Sequence, residues 1–153
     1  MDLILWRHAQ ATEKGDPNDD LARPLTHKGE RQARRMAGWL NRRLADSTRI
    51  LVSPAVRCQK TAEALGRSVR TLAELAPDAS PEAVLEAAGW PGAEHPVLIV
   101  GHQPTLGLAA ALALVGTASP WSIPKAGVWW FRHRIHESSG GVLLLAVQSP
   151  DCL

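Results

Sequence analysis

The chain has 153 residues, of which 45% are hydrophobic and 21% charged, with a formal net charge of +2. That is the composition of one globular domain long enough to bury a core. It offers no global field for nucleic acid or an anionic membrane. Cys58 and Cys152 have neither disulfide nor metal-ligand spacing, which suits a reducing compartment. The apolar run Met1–Trp6 is too short for a signal peptide or a membrane span, so the chain reads as cytoplasmic.

In chain order, Met1 to Trp6 is a first strand, followed directly by Arg7-His8. Ala9 to Leu25 is polar and rich in turn residues, a long loop of the kind that carries function. Thr26 caps a helix whose apolar stripe is Ala33, Met36, Ala37, Leu40 and Leu44. Arg31, Arg34, Arg35, Arg42 and Arg43 then form its solvated face rather than a nucleic-acid surface. Ile50–Ser53 is a second strand, and Ser53-Pro54 opens a helix running to Gly66. A short strand at Val69–Leu72 precedes Glu74, and Ser80-Pro81 starts a short helix that ends near Gly89.

Val97–Gly101 is a buried strand leading into His102, and Gln103-Pro104 starts an alanine- and leucine-rich helix ending at Gly116. Val128–Arg134 and Val142–Gln148 are strands joined through Glu137–Gly141, a hairpin at the sheet edge. Trp129 and Trp130 pack on that edge, whereas Trp90 and Trp121 lie in loops and are candidates for a docking surface. His27, His95, His133 and His136 have no partners in the pattern and read as surface residues. The expected fold is α/β: a mostly parallel sheet flanked by helices, with an antiparallel C-terminal hairpin, in a single domain over 1–153.

Three strands thus deliver Arg7-His8, Arg57 and His102 to one carboxyl edge, where open α/β sheets bind ligands. The helix starts at Pro54 and Pro104 add unpaired N–H groups at the same edge. Arginine forks suit phosphate oxygens, and nearby guanidiniums keep an imidazole neutral and nucleophilic. A second histidine, if protonated, would stabilise developing charge. The spacing leaves open which histidine attacks. No carboxylate or cysteine stands at ligand spacing from His102, so no metal site is expected.

These residues resemble the histidine phosphatase superfamily, with its phosphoglycerate mutase-like fold. Leu5-Trp6-Arg7-His8-Ala9 is similar to the Arg-His-Gly signature, with alanine in place of glycine. Leu51 to Thr61 is similar to the Ser-x-x-x-Arg-x-x-x-Thr segment, and Val100 to Pro104 to the second-histidine segment. Arg23-Pro24-Leu25-Thr26 with Gly29 and the small size resemble the phosphohistidine phosphatases of the SixA type. The resemblance implies that His8 is the nucleophile and that Arg7, Arg57 and His102 form the phosphate pocket, with Ser53 ordering it and Arg23 binding substrate. It places Glu74 at the general-acid position of the mutase-like members, and Asp20 is the competing acid. It implies no metal and no cofactor.

Only 27 residues separate Glu74 from His102, too few for a lid domain. An open pocket suits a phosphorylated side chain on another protein, and a labile P–N bond asks little of an acid. The expected substrate is therefore phosphohistidine on a protein, in a signalling role. A small phosphomonoester is the alternative, and a catalytically silent phosphate-binding module is the non-enzymatic one.

Overall fold

The computed structural model describes residues 1–13, 16, 18–134 and 141–153. Six strands form one sheet: β1 (Asp2–Arg7), β2 (Arg49–Val52), β3 (Arg70–Thr71), β4 (Val97–Gly101), β5 (Val128–His133) and β6 (Val142–Gln148), in the order β3-β2-β4-β1-β5-β6. The first four are parallel, while β5 and β6 run antiparallel to their neighbours. The helices are α1 (His27–Asn41), α2 (Val56–Glu63), α3 (Pro81–Ala88) and α4 (Thr105–Val115). This is the α/β architecture expected from the sequence, with its C-terminal antiparallel pair. The hairpin connection expected at Glu137–Gly141 lies outside the described residues except for Gly141, as does His136.

Side chains alternate across the sheet with period two and split the core into two layers. Ile4 and Trp6 of β1 face α1 and α2, packed with Met36, Leu40, Val52 and Val100. Leu3 and Leu5 face α3 and α4, packed with Leu51, Ile99, Leu106 and Phe131. The Thr26 hydroxyl accepts the Gly29 N–H at 3.0 Å and so starts α1, and the five arginines of that helix region are exposed as expected. No helix among the described residues is long and apolar enough to cross a membrane.

The structure differs from the sequence reading at several places. α2 begins at Val56, because the Ser53 hydroxyl is committed elsewhere and Pro54-Ala55 forms a turn instead of a first helical turn. β3 is only Arg70–Thr71, since Leu72 already leads into a 3-10 turn at Ala73–Leu75. The loop after β1 is not loose: Ala11 bridges Leu25, and the Thr12 N–H donates to the Pro24 carbonyl at 2.9 Å. It then forms a 3-10 turn at Asp20–Ala22. Trp90 and Trp121 are half-buried and pack against the second core layer. His27 and His95 are exposed, but His133 is half-buried edge-on to Trp90.

One close approach positions the edge of the sheet. Gly107 of α4 lies so near the Trp121 carbonyl that any Cβ would overlap its oxygen. The Gln103 side chain clamps the same contact, accepting from the Gly107 N–H at 2.7 Å and donating to the Trp121 carbonyl at 2.9 Å. The segment held this way continues to Ile123 and Ala126, which contact Arg7 and His8. Gly107→Ala should cost about 1–3 kcal/mol of overpacking. That lowers the thermal midpoint by roughly 2–4 °C per kcal/mol in a chain of this size. Differential scanning calorimetry checks it, and an unchanged midpoint would contradict the contact.

Candidate active site

The site grows out of strand register. β1 pairs with β4 so that Arg7 lies beside Gly101, and β2 pairs with β4 so that Val52 lies beside Val100. The next residues, His8, His102 and Ser53, therefore leave the sheet together. The His8 N–H donates to the Gly101 carbonyl at 3.1 Å and the Ser53 N–H to the Val100 carbonyl at 3.1 Å. The two imidazole centroids are 5.3 Å apart.

The hydrogen bonds of each ring assign its tautomer. His8 Nδ1 lies 2.8 Å from the Ala9 carbonyl oxygen, which can only accept, so Nδ1 carries the proton. Nε2 of His8 keeps its lone pair. In His102, Nδ1 faces the Arg57 Nη2 donor at 3.3 Å and must accept. Its Nε2–H then donates to the Ser53 hydroxyl at 2.7 Å. Ser53 Oγ also accepts the Ala55 N–H at 3.2 Å, so this fully buried serine orders the second histidine.

Both rings are neutral near pH 7. Burial pushes His8 down to about 4, and the charges of Arg57, Arg7 and Arg23 act in the same direction against the bond to Ala9. Burial, Arg57 and His8 lower His102 to about 3, with the Asp20 charge opposing. The neutral imidazole expected beside the arginines is therefore found at His8. In the ligand-free protein, however, the second histidine is not protonated either.

Arg57 is buried, with only 4% of its side chain exposed. Its Nη1 donates to the Asp20 carbonyl at 2.9 Å and its Nη2 to the Asp20 carboxylate at 3.0 Å. Arg7 donates through Nη1 to the Ile123 carbonyl at 2.9 Å. The Nε–H groups of both arginines are buried and have no partner among the described residues. A buried donor without an acceptor is costly. Arg23 donates to the other Asp20 oxygen at 2.9 Å and to the Thr12 carbonyl at 3.1 Å. Burial opposes ionisation of Asp20, but bonds from Arg23 and Arg57 outweigh it and hold the carboxyl below its usual range.

These groups line a cleft of about 390 Å³ whose wall also carries Glu13, Asp78, Gln103 and Lys125. The structure thus brings together His8, His102, Arg7, Arg57 and Arg23 at the cleft, with Ser53 behind His102. It does not bring Glu74 there. That residue is exposed on the Ala73–Leu75 turn and does not line the cleft, because the turn spends its inward position on Leu75. Among the described residues, no three His, Cys, Asp or Glu side chains are grouped as metal ligands. Cys58 contacts His102 Nε2 at 3.5 Å, and burial pushes its thiol up to about 12, so it is an inert packing group.

Four residues at the site had no assigned role from sequence: Thr61, Glu13, Asp78 and Lys125. The Thr61 hydroxyl donates to the Arg57 carbonyl at 2.7 Å and accepts the Ala9 N–H at 3.0 Å, tying α2 to the end of β1. Its position one helical turn after Arg57 was the available signal. The rim residues Glu13, Asp78 and Lys125 carried none.

A family model for the histidine phosphatase superfamily (branch 1) matches residues 3–79. The phosphohistidine phosphatase SixA of Escherichia coli K12 is 32% identical over 129 residues, covering 78% of each chain. The chain belongs to the histidine phosphatase superfamily. An uncharacterized protein of Picosynechococcus is 35% identical over 136 residues, covering 84% of this chain and 82% of that one. Among solved structures, the protein histidine phosphatase SixA complexed with tungstate superposes with a TM-score of 0.79 at 27% identity. The superposition covers 99% of this chain and 98% of the other. The fold is thus SixA-like, and it is a fold of phosphatase hydrolases.

Protonating His8 removes the lone pair, so kcat/KM must fall as pH drops through the free-enzyme value. With an aryl phosphate, corrected for the ester's own ionisation, the acid limb should lie near pH 4 instead of the ordinary imidazole value of 6.5. A limb near the ordinary value would contradict the buried, arginine-flanked histidine.

Proposed function

We propose that the protein is a phosphatase that removes the phosphoryl group from a phosphohistidine on another protein, through a phosphohistidine formed on His8. The observation that carries this reading is His8 itself. Its Nδ1 is committed to a carbonyl, and the ring stays neutral down to about 4. It shares its cleft with two arginines whose Nε–H groups have no partner among the described residues. The similarity to a SixA solved with tungstate, a tetrahedral oxyanion, supports the anion pocket.

In the first step the Nε2 lone pair attacks phosphorus and the P–N bond to the substrate imidazole breaks, its electron pair returning to that nitrogen. Proton uptake from water at the far ring nitrogen lets the imidazole leave neutral. Arg7 and Arg57 hold the non-bridging oxygens as charge shifts toward the leaving group, while His102 accepts from Arg57 and so helps fix that guanidinium. Ser53 keeps His102 oriented, and Arg23 extends the basic wall. In the second step water attacks phosphorus, the P–Nε2 bond breaks, and orthophosphate leaves with His8 restored. Neither step calls for a metal or an organic cofactor.

Two features favour the protein substrate. The chain between β3 and β4 folds only as a 3-10 turn and the eight-residue α3, so this segment places no lid domain over the cleft. Glu74 points away and Asp20 is held ionised, which favours a leaving group that needs no positioned acid. The implied partner is a phosphohistidine-bearing signalling protein in the cytoplasm. A second reading rests on Glu13 and Asp78: either carboxyl on the cleft wall would serve as the acid for a small phosphomonoester. The superfamily also includes small-molecule phosphatases.

Phosphate release from a phosphohistidine-bearing protein and from an aryl phosphate separates these readings. The expected result is fast release from the protein, slow release from the ester, and a loss on the order of 10⁴-fold in His8→Ala. Preference for the ester would move the substrate to small molecules. Retention of phosphate without turnover would leave a binding module.

A further inference from the structure

Asp20 stands in an unusual relation to the pocket. It is half-exposed, at 52% of its side chain, yet it is the one carboxylate among the described residues that pairs with the buried Arg57. It grips that guanidinium twice, once through its carboxylate and once through its own backbone carbonyl. The 3-10 turn at Asp20–Ala22 makes this double grip geometrically available, since it aims the carbonyl and the side chain of one residue at the same fork. The second carboxylate oxygen holds Arg23, whose other end donates to the Thr12 carbonyl and so braces the chain after β1. What remains of Arg57 is a second Nη1–H, the Nη2 contact to His102 and a buried Nε–H.

We propose that Asp20 is a positioning residue for the phosphoryl pocket: by holding Arg57 through both terminal nitrogens, and Arg23 through its second oxygen, it fixes the Arg57 guanidinium on the cleft wall so that its remaining terminal N–H meets the phosphoryl oxygens. This rests on the phosphatase reading of the same cleft. It differs from two other roles open to that carboxylate. A general acid must carry a proton, whereas Asp20 is bonded to two guanidiniums as an acceptor. A competing anion would occupy the whole arginine edge that phosphate needs, whereas Asp20 takes one N–H from each terminal nitrogen of Arg57 and leaves the second Nη1–H. The arrangement also gives a buried guanidinium its counter-charge, which such a group requires.

The signs of these roles differ in a binding measurement. Removing a negative charge beside an anion site should by itself tighten phosphate, while releasing the aim of Arg57 should weaken it. Calorimetric titration of inorganic phosphate into the whole protein therefore decides, with wild type, Asp20→Asn, Arg57→Ala and the double variant compared, and with thermal midpoints recorded for each. Positioning predicts that Asp20→Asn weakens phosphate about fivefold, the scale of a charge-assisted bond at a partly exposed site. It also predicts that the same change weakens nothing further once Arg57 is alanine.

Asp20→Glu, which keeps the charge and moves the carboxylate by one methylene, should weaken binding as well. That variant carries the test if Asp20→Asn fails to fold. Tighter binding in Asp20→Asn, or equal weakening with and without Arg57, would overturn the proposal while leaving the phosphatase reading intact. A wild type that binds no phosphate would overturn both.

Discussion

Because β1 and β4 run parallel with Arg7 beside Gly101, the two chain continuations leave the sheet as neighbours, and both are histidines. The remaining geometry depends on that register. A shift of one residue would send His8 to the opposite side of the strand and exchange the two core layers. The layers resist such a shift, since Leu3 and Leu5 pack with Leu106 on one face while Ile4 and Trp6 pack with Met36 on the other. Core packing and catalytic placement are therefore the same constraint.

The electrostatics follow from where this edge is buried. Two imidazoles share a poorly solvated corner with guanidinium groups, and water cannot screen them well. Burial and the arginines both disfavour imidazolium, so His8 and His102 stay neutral, with no carboxylate among the described residues bonded to either ring. The carboxylate that is present is bonded to arginines instead. Excess positive charge is thereby preserved where a phosphoryl group would sit, and His8 keeps the lone pair on Nε2. A carboxylate on His8 would have raised its proton affinity and defeated the arrangement.

Much of this was legible in the chain. Arg7, His8, Ser53 and His102 each follow a short apolar strand, and strands in a parallel sheet end at a common edge, so local pattern was enough to bring them together. Arg57 was legible because it lies one turn into the helix after Ser53-Pro54. The places of the two candidate acids were not. Glu74 follows a strand as His8 does, but the 3-10 turn there directs Leu75 inward, and nothing local distinguishes inward from outward in a three-residue turn. Asp20 stood among Asp16, Asn18 and Asp19 in a turn-rich loop, and its place depends on Arg57, a residue 37 positions later. Its partner is visible only in three dimensions. The helix start at Val56 was missed for a related reason: Ser53, a natural capping residue, is drawn to His102 by a contact 49 positions away.

The central claim is that a neutral His8, with its proton held on Nδ1, attacks phosphorus through Nε2. Rapid acid-free quenching of the protein with a phosphohistidine donor, followed by phosphorus NMR of the trapped phosphoenzyme, tests it most directly. The account predicts a single phosphoramidate signal from phosphohistidine substituted at Nε2, mapped to His8 by proteolysis. Phosphoryl attached to Nδ1, or carried by His102 instead of His8, would contradict it.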